Sequence, residues 1–199
     1  MLGDREPEGR LPASFPESVG QIPVHHDRLP SGRPSADGFS NGYQVGYRDR
    51  SFLPRFAFGH GLSYTTFAYG APSVDRPALW QEGEGADAAV TVSVAVANTG
   101  PRTGTTLVQL YLRDLVASVS RPLLSFRGFE RVRLAPGQTR RVSFRIDEPM
   151  LRFHDDRMRF VSEPGDFHAF VGPSAARLSD PVAFTLRAGR PDRAAGGAR

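Results

Sequence analysis

The chain has 199 residues, 25 basic and 21 acidic side chains and a formal charge of +4. It contains no cysteine, which excludes disulfides, thiolate metal sites and a cysteine nucleophile. Every basic side chain is an arginine, and these are scattered rather than gathered into a stripe, so the composition speaks against a nucleic-acid surface and for solvated loops and strand faces.

In chain order, the opening MLGDREPEGRLPAS (1–14) is charged and proline-bearing. It has no apolar h-region, so it does not read as a secretory signal, and no later run is long enough to span a bilayer. Residues 1 to about 70 are rich in Gly, Pro, Ser and aromatics, and HDRLPSGRPSADGFSNGYQ (26–44) reads as loop throughout. VGQIPV (19–24) could pair only as an edge strand, because Pro23 lacks a donor. Such a segment cannot bury enough apolar surface to offset its own chain entropy. Disorder usually comes with few aromatics, whereas FAFGHGLSYTTFAYG (56–70) is crowded with them, so the segment is expected to dock against something.

From residue 89 the pattern changes. VTVSVAVAN (90–98) sets Val90, Val92, Val94 and Val96 at a period of two, and TLVQLYLRD (106–114) does the same with Val108, Leu110 and Leu112. ERVRLAPGQTRRVSFRID (130–147) reads as a hairpin about Pro136-Gly137, where Gly137 can take the positive φ of a type II turn. MLRFHDDRMRFVSEPGDFHAFVG (150–172) repeats the device, and VAFTL (182–186) closes the series. Short strands at regular intervals without a helix predict an all-β fold, an immunoglobulin/fibronectin type III-like antiparallel β-sandwich. The residues after Leu186 form a polar tail expected to be disordered.

The residues that could carry chemistry are few. On a strand His25 and Asp27 would share a side with His26 opposite, too few ligands for a metal. Gly59-His60-Gly61 is not a phosphate loop, since no helix and no Lys-Ser/Thr pair follow it; it reads as a tight turn. Asp147-Glu148 and Asp155-Asp156 read as strand-end and hairpin turns, not as the opposed carboxylates of a glycosidase. The residues themselves thus indicate no catalytic group, no cofactor and no metal.

Four blocks resemble the C-terminal end of a glycoside hydrolase family 3 enzyme of the β-glucosidase kind: GDREPEGRLPASFPESVGQIPV (3–24), FAFGHGLSYTTF (56–67), VANTGPRTGTTLVQLYLRDLVASVSRPLLSFRGFERVRLAPGQTRRVSF (96–144) and EPGDFHAFVGPSA (163–175). They occur in the family's order. The resemblance implies that residues 1–70 are the end of an α/β-sandwich domain with its exit linker, that 71–187 are a fibronectin type III-like domain, and that 188–199 are a tail. It places the interdomain turn at Phe58, Gly59, His60, Gly61, Leu62 and Tyr64, with their rings filling a seam between domains. The family's aspartate nucleophile and glutamate acid/base lie in upstream motifs that no residue here matches, and Ala57 stands where proline is usual.

The expected function is therefore that of a C-terminal piece of a family 3 β-glucosidase, bracing the catalytic domains and inactive alone. Its partners would be those missing domains, with a β-glucoside met only through the parent, and neither nucleic acid nor membrane. The parent family is often periplasmic or secreted. The alternative is a free-standing module that binds glycan or protein through loops such as 114–126. Without its partner domain, the segment 1–70 is expected to be mobile.

Overall fold

A computed structural model describes residues 3–39, 45–47 and 49–189. The expected tail beyond residue 189 and residues 40–44 of the long loop lie outside them. The leading segment holds a single 3-10 turn, Val19–Gln21, and a short parallel pair, β1 (Pro34–Phe39) with β2 (Val45–Tyr47). The sandwich then contributes β3 (Phe67–Tyr69), β4 (Ser73–Val74), β5 (Ala78–Trp80), a 3-10 turn at Gly85–Ala88, β6 (Ala89–Asn98), β7 (Gly104–Asp114), β8 (Ser125–Leu134) and β9 (Thr139–Asp147). One helical turn, α1 (Glu148–Leu151), leads to β10 (Phe153–His154), β11 (Phe160–Val161), β12 (Gly165–Gly172) and β13 (Val182–Arg187).

Two sheets face each other. One has five strands in the order β5-β13-β12-β7-β8, antiparallel except where β5 runs parallel to β13. In the other, β6 pairs with β9 along one edge, while β3 and β4 lie end to end along its second edge. The period of two decides what lies between them. Val90, Val92, Val94 and Val96 of β6 are at most 2% exposed and meet Val108, Leu110, Leu112, Ala169, Val171, Phe184 and Leu186 from the opposite layer. This is an immunoglobulin/fibronectin type III-like sandwich. Its first strand in chain order is β3, which starts at Phe67 and pairs with β6.

Two local expectations are corrected. The 130–147 stretch is not a hairpin: β8 pairs with β7 and β9 with β6, so the chain changes sheets at Pro136-Gly137. Gly137 does take a positive φ of 72°, but its N–H bonds to the Asn98 carbonyl, and the Gln138 carbonyl receives the Asn98 N–H. The corner is thus stitched to the end of β6, which pairs with β9, while β8 stays on β7. The Asp147-Glu148 stretch is a capped helical turn, with Asp147 Oδ1 accepting the Met150 N–H at 3.4 Å.

That turn and the hairpin after it hold the two most enclosed acids. Burial disfavours the charge on Glu148, but bonds from Arg152 Nε (2.9 and 3.0 Å) and from the Ser162 hydroxyl outweigh it and hold the carboxyl below its usual range. The Arg159 backbone N–H lowers Asp155 first, helped by the Arg159 side chain and the Arg157 N–H. Both folded-state values lie below the unfolded ones, about 3.9 for Asp and 4.3 for Glu. Their contribution is therefore complete above those values and disappears as pH falls through the lowered ones. Urea midpoints should fall steadily below about pH 4. Glu148→Gln should flatten part of that fall, and an unchanged acid limb in this variant would contradict the assignment.

Candidate functional site

The leading segment lies along the five-stranded sheet. Leu11 and His60 form the first rung, Leu11 N–H to His60 carbonyl at 2.9 Å, and the Gly59 N–H returns to the Leu11 carbonyl at 2.8 Å. Phe15 and Phe56 exchange both backbone bonds at 2.7 and 3.3 Å. These rungs join the leading segment to itself, and it meets the sandwich at Phe58, whose carbonyl accepts the Ala175 N–H at 3.0 Å. Between Ile22 and Arg33 a further tie to the sandwich runs from the Leu123 N–H to the Arg28 carbonyl at 3.0 Å.

Side chains reinforce the rungs. Glu6 accepts the Ser63 hydroxyl and the Tyr64 N–H. Glu8 accepts the Thr105 hydroxyl at 2.8 Å and Arg131 Nη1 at 2.9 Å. The Arg102 guanidinium carbon sits 5.3 Å from the centre of the Tyr64 ring, while its Nη2 donates to the Gly3 carbonyl.

At the centre, Gly59 has φ +79°, and a Cβ there would lie 2.3 Å from Gln109 Oε1. Glycine is required both for the left-handed backbone and for the close approach. Gln109, on β7, donates Nε2 to the Pro173 carbonyl at 2.8 Å and accepts the Tyr111 hydroxyl at 2.5 Å. Tyr111 has no exposed surface, and burial pushes its phenol well above the ordinary value. The Phe58 ring lies on the same face, stacked on His26 at 4.2 Å and edge-on to Phe126 at 5.2 Å. Burial lowers the His26 imidazole pKa, opposed by Asp27 and assisted by His25. Phe58 is tied at both backbone groups, its N–H to Ser14 Oγ and its carbonyl to the Ala175 N–H.

The six residues assigned to the turn therefore divide. Phe58 and Gly59 seat it on β7, and His60 packs its ring against Phe56 at 4.9 Å. At Gly61 a Cβ would lie 2.5 Å from Arg10 Cδ, so this glycine lets Arg10 cross the backbone. Leu62, at 74% exposed, fills no seam within the chain, and Tyr64 is partly exposed under Arg102. Sequence reasoning missed Gln109, Tyr111, Asn98, Glu6 and Glu8. A signal for the first two was available: LVQLYL is nearly continuous in bulk, as a strand covered on both faces requires.

Among the described residues no group of three or more His, Asp or Glu side chains could hold a metal. The acids of the hairpin region are engaged by arginines, and the hollow of about 480 Å³ bordered by Gln21, His25, Arg28, Tyr47 and Phe52 has no carboxylate in its lining. Among the described residues the arrangement supports packing and hydrogen bonding.

Residues 106–175 match the fibronectin type III-like domain family. The chain is 44% identical over 178 residues to a periplasmic β-glucosidase of Salmonella typhimurium, covering 89% of this chain and 23% of that protein. Its structure superimposes on β-glucosidase from Listeria innocua in complex with isofagomine with a TM-score of 0.84 and 31% identity, covering 94% of this chain and 25% of that one. The chain is homologous to the C-terminal part of a family 3 glycoside hydrolase. A β-xylosidase of Formosa agariphila is also similar, 42% identical over 88% of this chain and 22% of its own length. This family 3 segment thus spans about a quarter of the length of the relatives that it matches. The similarity covers the leading segment as well as the sandwich, so the docked turn and its seat belong to the shared part.

Proposed function

We propose that the chain is the bracing, C-terminal part of a retaining β-glycosidase, with residues up to about 66 completing the preceding domain and the sandwich holding them in place. The reaction of the whole enzyme would be hydrolysis of terminal β-glucosyl groups by two carboxylates, both supplied from outside this chain. The observation that carries this reading is where apolar surface is left in water. Nine of the fourteen exposed large apolar side chains among the described residues, Phe15, Val19, Ile22, Leu29, Leu53 and Phe56 among them, lie on the leading segment. A run of uncovered apolar side chains marks a surface that another body covers. The name periplasmic carried by one relative suggests the same compartment for the parent of this chain.

Two measurements test the reading. The purified 199-residue chain should hydrolyse neither an aryl β-glucoside nor an aryl β-xyloside above the blank. Replacing the matching 178-residue part of the Salmonella enzyme with this chain should preserve its glucosidase activity and its thermal midpoint, whereas deleting that part should lower both. A deletion that leaves midpoint and activity unchanged would remove the bracing role.

A further inference from the structure

The turn also borders a groove that bracing does not use. A hollow of about 280 Å³ is walled by Arg10, His60, Ser63, Thr66, Tyr69 and Arg177, among others. A second hollow of about 640 Å³ continues from it, sharing Phe67, Tyr69, Pro173 and Arg177. The groove follows the flank where β3 meets the turn after β12.

Its charge is one-sided at the turn end. Among the described residues no carboxylate lines the smaller hollow, Glu6 lies behind it on the Ser63 hydroxyl, and Asp180 borders only the wider one. Arg10 Nη1 donates to the adjacent Gly9 carbonyl at 2.8 Å. Among the described residues neither Arg10 nor Arg177 has a carboxylate partner. Both guanidinium groups act on the same hydroxyl: burial raises the Tyr69 phenol, and the Thr106 hydrogen bond, Arg10 and Arg177 each pull it back.

Both arginines stand on fixed backbone. The Leu11–His60–Gly59 rungs hold the chain beside Arg10, whose side chain lies over Gly61. The Arg177 N–H closes on the Ser174 carbonyl at 3.0 Å, and the turn presses so closely on Gly172 that a Cβ there would lie 2.0 Å from the Arg177 carbonyl oxygen. Two guanidinium-bearing side chains on the wall of one hollow suit a planar carboxylate, which a guanidinium grips through paired N–H bonds. Beyond that end the groove is bordered by the ring of Phe67 and by the hydroxyls of Ser63, Thr66 and Tyr69, which already bond Glu6, Thr99 and Thr106 and leave oxygen lone pairs toward a ligand. Few placed polar groups against apolar walls are what orient a small polar ligand.

We infer that this groove binds an acidic saccharide, with a uronosyl carboxylate between Arg10 and Arg177 and the sugar ring toward Phe67 and Tyr69. The inference is independent of the bracing role, since it concerns a groove inside the chain; a failed titration leaves that role untouched, and a failed replacement experiment leaves the groove untouched.

The test titrates the 199-residue chain with sodium D-glucuronate, D-glucose, sodium acetate and a short glutamate peptide at fixed ionic strength, following backbone amide shifts. Glucuronate should saturate with a Kd on the order of 1 mM, moving the amides of His60, Gly61, Tyr69 and Arg177. Glucose and acetate should each bind about tenfold more weakly, as should glucuronate to Arg10→Gln or Arg177→Gln. Arg145→Gln, on the distant sheet face, should bind as the parent does. Arg177 lies on an exposed turn, so its variant should keep the parent thermal midpoint and remains informative if Arg10→Gln does not fold. Absence of saturation, equal affinity for acetate, preference for the peptide, or undiminished binding by Arg177→Gln would each overturn the inference.

Discussion

Asn98→Ala should destabilise the chain by roughly 3 kcal/mol, one of the largest effects of any single substitution outside the apolar core. Asn98 is 1% exposed and its amide makes four bonds. Nδ2 donates to the Arg102 carbonyl at 2.7 Å and the Leu134 carbonyl at 2.9 Å, while Oδ1 accepts the Thr65 hydroxyl at 2.7 Å and the Gly100 N–H at 3.0 Å. One side chain therefore joins the approach to β3, the β6–β7 turn and the end of β8. Alanine leaves the Leu134 carbonyl and the Thr65 hydroxyl buried without this partner, at about 1–3 kcal/mol each, while water can reach the two part-buried groups. Urea unfolding at neutral pH measures the loss. A change below about 1 kcal/mol would mean that water substitutes for the amide and that the joint is not structural.

Gly59→Val should release the leading segment from β7 at a cost of about 3 kcal/mol. A β-carbon at φ +79° costs about 1–2 kcal/mol from the backbone alone. The Cβ would also evict Gln109, and with it the bonds to the Pro173 carbonyl and the Tyr111 hydroxyl, about 1 kcal/mol or more. Because the sandwich core contains nothing from residues 3–66, the sandwich should stay folded while the amide of Ala175, which donates to the Phe58 carbonyl of the turn, loses its exchange protection. Adding Gln109→Ala to Gly59→Ala should relieve the clash but not the backbone strain, so the double-mutant cycle separates the two. Full protection of Ala175 in Gly59→Val would show that the turn does not seat the segment.

The docked turn also explains why β7 is covered on both faces. Its inward residues Val108, Leu110 and Leu112 belong to the sandwich core, and its outward residues Gln109 and Tyr111 lie under Phe58 and Gly59. If the proposed bracing role is right, load from the preceding domain passes through this strand into both layers. Ser93 and Ser143, paired across β6 and β9 at 2.8 Å, show the contrast: there the outward face carries small and polar side chains, Thr91, Ala95, Arg141 and Arg145 among them.

The valines of β6, the alternation along β9 and the glycine at position 137 could be read from the chain alone, because a period of two and a positive φ are local properties that need no partner to be recognised. The need of residues 1–70 for a docking surface was equally legible, since their ring content and their poor periodicity conflict in isolation. Which surface receives them was not. Gln109 is an unremarkable polar residue in a strand until Gly59 is brought onto it from fifty positions away, and Asn98 is an ordinary turn residue until Leu134 and Thr65 converge on its amide. Nor could the corner at Pro136-Gly137 be told from a hairpin, because hairpin and sheet change share the same local turn and differ only in which edges remain free. Local backbone preference is written in neighbouring residues, whereas edges, buried hydrogen-bond partners and the companions of a guanidinium exist only once distant segments meet.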